Sequence, residues 1–138
     1  MISTVAVGTD GSPTAEEAIE EAAEIARRFG AKLVLLSAFK GAPASGGEAI
    51  ELQWASNSSA RLSSSLERAQ AKLAGLGLEC QTRIDEGDPV EVLVRLAEEC
   101  GADLLVIGNK GMKRRVLGSV PNSVTHKAGC SVLVVKTT

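Results

Sequence analysis

A chain of 138 residues is long enough for one domain to bury well over half of its unfolded surface, so residues 1–138 are expected to form a single domain without disulfide or metal staples. The formal net charge of −2 argues against a general nucleic-acid or membrane-surface binder, since such proteins use a net basic face to displace counterions or meet anionic lipid. Any anion binding must then be local.

The elements alternate between strand and helix. Residues Thr4 to Gly8 form a short β-branched apolar run, and Ser12-Pro13 marks a helix start, followed by Ala15, Ala18, Ile19, Ala22, Ala26 and Phe29 at helical spacing. Gly30 ends that helix. Lys32 to Ala38 is almost continuously apolar, as expected of a central parallel strand covered on both faces. Gly41 to Gly47, rich in Gly, Ala and Ser, reads as a loop. A longer helix follows, with a stripe of Leu62, Leu66, Ala69 and Leu73 that stops at Gly75 and Gly77. Leu78 to Asp85 reads as a third strand. Gly87-Asp88-Pro89 opens a third helix with a stripe of Val90, Leu93, Val94, Ala97 and Cys100. Leu104 to Ile107 is the fourth strand, Pro121 to Ala128 the fourth helix and Ser131 to Val135 the fifth strand.

This order predicts an α/β fold, an open parallel sheet with helices on both faces, because right-handed crossovers allow little else. The N-terminus reads as strand rather than signal peptide, having no basic leading region. No apolar run approaches about 18 residues, so no membrane span is expected. Cys80, Cys100 and Cys130 are odd in number and lack CxxC spacing, which favours a reducing compartment and small packing thiols over a disulfide framework or a zinc site.

The chemistry concentrates after the fourth strand. There, Gly108 and Gly111 make a GxxG turn, and Gly118-Ser119 precedes a helix start at Pro121. Glycine lets a ligand approach the backbone closely, and the free N–H groups of a helix start attract anions. Lys110, Lys113, Arg114 and Arg115 crowd the same loop, as phosphate ligands or as solvated surface charge. At the end of the first strand, Asp10 in VGTDGS could accept from ribose or base groups, or could close an Asx turn on Gly11-Ser12. Ser119 could bind phosphate or cap the helix. The lone histidine, His126, lies near a helix C-terminus, where a structural role is expected. Glu16-Glu17 and Glu98-Glu99 fall on helix faces expected to be solvated. Neither a Ser/His/Asp arrangement nor an HExxH or Walker motif is present in the sequence.

The segments VAVGTDGSPTAEEAI, EGDPVEVLVRLAEECGADLLVIG and the GxxG region, in that order and spacing, resemble the universal stress protein family in its nucleotide-binding branch. The resemblance implies a Rossmann-like five-stranded sheet of order 3-2-1-4-5, with a ligand crevice between strands 1 and 4, where the order reverses. It implies a cytoplasmic stress-response protein that binds ATP, AMP or cyclic AMP, with Mg2+ only beside a triphosphate and any ATP hydrolysis slow and incidental. The implied site comprises Thr9, Asp10, Ala38, Ile107, Gly108, Lys110, Gly111, Gly118, Ser119 and Val120, with the backbone at Ala38 reading the adenine edge. A homodimer paired through the exposed edge of strand 5 is also implied, with no nucleic acid or membrane partner. The branch pattern places nine residues between the second glycine and the Gly-Ser/Thr pair, whereas Met112 to Leu117 supply six here. A nucleotide-free dimeric interaction module of the same family is the alternative that this short loop allows.

Overall fold

The three inner strands of the chain are apolar because they are covered on both faces, and the helices between strands supply the covers. A computed structural model of the protein describes residues 1–40, 48–109 and 120–137, the side chains of 48–58 excepted. Its elements are β1 (Thr4–Gly8), α1 (Ala15–Phe29), β2 (Lys32–Phe39), α2 (Glu48–Gly75), β3 (Cys80–Glu86), α3 (Pro89–Glu99), β4 (Leu104–Gly108), α4 (Val120–Lys127) and β5 (Ser131–Val135). The sheet has the order β3-β2-β1-β4-β5, with every neighbouring pair parallel, as expected. The loop expected at Gly41 to Gly47 lies outside the described residues.

Strand alternation divides the core in two. Val5, Val7, Leu33, Leu35 and Val106 face α1 and α2, whereas Ala6, Val34, Leu36, Leu105 and Ile107 face α3 and α4. The chain therefore winds one way for β1–β2–β3, then crosses back over β1 and continues to β4 and β5. That reversal puts the open ends of β1 and β4 side by side.

The boundaries that differ from the sequence reading do so because of local turn chemistry. Helix α1 begins at Ala15, not at Ser12-Pro13, because the Ser12 carbonyl and Oγ both accept from the Ala15 N–H, at 3.1 and 3.3 Å. Its buried stripe ends at Ala26, and Phe29 is exposed. Strand β3 begins at Cys80 rather than Leu78, because the Leu78 N–H reaches back to the Leu73 carbonyl (3.0 Å) across Gly77, whose φ of 84° glycine tolerates. Helix α3 starts as expected: Asp88 caps the Glu91 N–H at 3.3 Å and Pro89 occupies the first turn. Its buried stripe also takes in Val92 and Leu96, while Val94 and Cys100 are half-buried. Helix α4 starts one residue earlier than expected, at Val120, and ends at Lys127.

Candidate functional site at the β1–β4 switch point

The pairing of Val5, Ala6 and Val7 with Leu104, Leu105 and Val106 brings the residues leaving β1 beside those leaving β4. Thr9 follows β1 and is buried. Its N–H donates to the Leu36 carbonyl (2.9 Å), and its carbonyl accepts from the fully buried Ser37 Oγ (2.6 Å). Its own Oγ1 accepts from the Gly11 N–H at 3.1 Å. The turn after β1 is thus tied to β2 before any ligand arrives. Ser37, hidden within an apolar strand, is a positioning residue that the sequence pattern did not single out.

Asp10 sits at the mouth of this turn, half-buried. Its Oδ1 accepts from the Ser12 N–H at 2.9 Å, which is the Asx turn. The two readings of Asp10 are compatible, since no hydrogen bond reaches Oδ2 from the described residues. Ala38, near the end of β2, is half-buried against the α3–α4 side of the core and offers its backbone at the strand end.

Across the crevice, the Ile107 side chain is buried at 1% exposure in the α3–α4 core, so only its backbone is available to a ligand. Gly108 is occupied differently from a ligand cradle. A Cβ there would lie 3.1 Å from Thr137 Cγ2 and 3.8 Å from Ala18 Cβ, so the protein's own C-terminal segment and α1 fill the space beside it. Asn109, which sequence reasoning passed over, fastens that segment. Its Oδ1 accepts from both the Thr137 N–H (2.8 Å) and the Thr137 Oγ1 (3.0 Å), while its N–H donates to the Val135 carbonyl (3.0 Å). The exit of β4 is held as firmly as that of β1.

Val120, the first residue of α4, is 1% exposed and packs into the core with Pro121 and Val124, fixing where that helix begins. Lys110, Gly111, Gly118 and Ser119, together with Lys113, Arg114 and Arg115, lie outside the described residues. Asp10 and Gly11 also form one wall of a hollow whose other wall is α2, an element absent from the expected site.

Little else in the described residues suggests reaction chemistry. They contain no cluster of His, Cys, Asp or Glu suited to a metal ion. Burial pushes the Cys80, Cys100 and Cys130 thiols up, away from reactive thiolate, and none of the three forms a disulfide. His126 is exposed in the last turn of α4. Glu99 bonds Arg95 at 3.1 Å in a half-exposed charge cluster with Arg83 and Asp85. No described helix is long and apolar enough to cross a membrane.

Comparison with known proteins extends these findings. The sequence model of the universal stress protein family matches residues 1–136. A universal stress protein of Mycobacterium tuberculosis is 39% identical over 142 residues, covering 98% of this chain and 97% of its own length. A universal stress protein solved in complex with cAMP is 34% identical, with a TM-score of 0.77 over 99% of this chain and 98% of the other. A universal stress protein from Archaeoglobus fulgidus, solved in complex with dAMP, is 26% identical, with a TM-score of 0.70 over 99% of this chain and 100% of the other.

Proposed function

The chain belongs to the universal stress protein family, and we propose that, as one cytoplasmic domain over residues 1–138, it serves a stress response by binding an adenine nucleotide between β1 and β4. The observation that carries this reading is the side-by-side exit of β1 and β4 at the point where the sheet order reverses, the place where open parallel sheets bind ligands. The cAMP and dAMP held by two similar proteins agree with it in ligand class. In this reading Thr9 and Asp10 border the ribose, with Asp10 Oδ2 accepting from a hydroxyl. The backbones of Ala38, Ile107 and Val120 line the base and sugar, and phosphate is met by Lys110, Gly111, Gly118 and Ser119 together with the Gly108 backbone, whose Cα side is taken up by Thr137 and Ala18. ATP, AMP and cyclic AMP are all candidates, with Mg2+ accompanying only a triphosphate.

Calorimetry of the purified protein with ATP, AMP and cyclic AMP tests the reading, with Gly118→Val as the comparison because this reading assigns Gly118 to phosphate, where an added side chain would obstruct the approach. Binding by the parent and its loss in the folded variant are expected. Absence of binding by the parent, or unchanged binding by the variant, counts against it. The six-residue span from Met112 to Leu117 favours a second reading, a nucleotide-free dimeric interaction module, which the first of those outcomes would support.

A further inference from the structure

The hollow between the β1–α1 turn and α2 encloses about 600 Å³, which is ligand-sized. Asp10 and Gly11 form one wall; Arg61, Ser64, Ser65 and Arg68 lie on the other. The spacing of these four residues, three and four apart, places them on one face of α2. The walls approach closely at the turn: a Cβ on Gly11, whose φ is 80°, would lie 3.1 Å from Ser65 Oγ. Arg28, Arg83 and Arg95 each pair with a carboxylate, but no described residue forms an ion pair with Arg61 or Arg68. Among the described residues, two guanidinium groups and two hydroxyls therefore line an open hollow with the Asp10 carboxylate opposite them.

We propose that this hollow is a binding site for a diphosphate group, held by Arg61 and Arg68 with Ser64 and Ser65 donating between them. The chemistry follows from the side chains. Guanidinium donates in a planar fork that matches phosphate oxygens, and charge-assisted bonds of this kind are stronger than neutral ones. The two arginines are separated by about 10 Å along the helix axis, a gap that their long side chains bridge better around two linked phosphates than around one. The Asp10 carboxylate on the facing wall repels the anion toward α2. No residue of this α2 face belongs to the proposed nucleotide crevice, although the two sites share Asp10.

Pyrophosphate is the probe, titrated into the full chain with amide resonances recorded by NMR. Saturable shifts at Gly11, Ser64 and Ser65 are expected, with affinity roughly tenfold or more weaker in the Arg61→Gln/Arg68→Gln variant and largely kept in Arg61→Lys/Arg68→Lys. Both arginines are exposed, so the variants should fold, which circular dichroism checks. Shifts absent from those amides, or affinity within about twofold of the parent in the glutamine variant, overturn the proposal. A parallel titration with ATP and adenosine identifies the source of the diphosphate. If ATP weakens in the glutamine variant and adenosine does not, the hollow holds the tail of a nucleotide seated in the crevice. If ATP is unchanged while pyrophosphate weakens, it holds a separate phosphorylated molecule. A parent that binds pyrophosphate here but no adenosine or ATP refutes the proposed nucleotide function and leaves this site standing.

Discussion

Gly8 and Gly108 end β1 and its neighbour β4, and both positions are crowded rather than bent into an unusual backbone angle, since neither has a positive φ. A Cβ on Gly8 would lie 3.0 Å from Leu93 Cδ1 and 3.3 Å from Ile107 Cγ2, so these two buried side chains would have to shift to admit it. Gly8→Val should therefore cost about 1–3 kcal/mol by overpacking, measured as a lower urea midpoint at unchanged slope; an unchanged midpoint would contradict the packing. At the opposite end of the sheet, Asp103 Oδ2 accepts from the Ser3 and Thr4 N–H groups at 2.8 and 3.0 Å, tying the starts of β1 and β4 together. Those two bonds hold its carboxyl below the ordinary 3.8. Because the folded state favours the ionised form, the stability it lends is complete above the ordinary value and is lost as pH falls through the lowered one. Asp103→Asn should lower stability at pH 7 and flatten the acid limb of the stability profile, and denaturation at a series of pH values would show a parallel profile if the carboxylate did nothing.

At the scale of elements, β5 is the apolar edge of the sheet, opposite the polar edge strand β3. The Val135 carbonyl accepts from Asn109, so the N–H and C=O of Val135 point toward β4 and those of Val134 point outward. Val134 is 39% exposed, and an apolar edge of this kind is normally covered. If two chains pair through it, as the family resemblance implies, Val134→Pro removes an outward donor while sparing the β4 ladder, and sedimentation should show the variant shifted toward monomer. A monomeric parent at high micromolar concentration would dispose of the dimer. The inner strands show why so much of the fold was legible: strands buried on two faces read as unbroken apolar runs, and β1 falls where that run falls, while the edge strand β5 is apolar enough to be read in the same way. What was not legible was the turn chemistry that decides boundaries. Leu78 looks like the first residue of a strand, yet its N–H is spent on ending α2. Phe29 continues the α1 period but lies past the last turn that faces the sheet.

For the whole molecule, topology made the position of the crevice legible, since strand order alone puts Asp10 opposite Gly108. The contacts that shape it were hidden, because they join distant parts of the chain: Asn109 meets Thr137 across 28 positions, and Ser37 meets Thr9 across the same separation. Arg61 and Arg68 were hidden for another reason, since polar residues on the outward side of a helix read as solvated until a turn is seen packed beside them. The phosphate loop is where sequence alone still makes a quantitative claim. Met112 to Leu117 supply six residues, and Pro121 lacks the N–H that another residue would offer at the start of α4. A loop this short should enclose fewer phosphates, and each charge-assisted hydrogen bond lost costs roughly 1.5–3 kcal/mol, about tenfold or more in affinity. AMP or cyclic AMP should consequently bind about as well as ATP, with Lys110, Lys113 or Arg114 meeting the phosphate charge that remains. Titrating the three nucleotides at one salt concentration checks this, because electrostatic contributions to a triphosphate shrink as salt rises. A preference for ATP of about a hundredfold or more, equivalent to roughly 2.7 kcal/mol, would mean that the short loop still clamps all three phosphates and that its missing length is made up by cations.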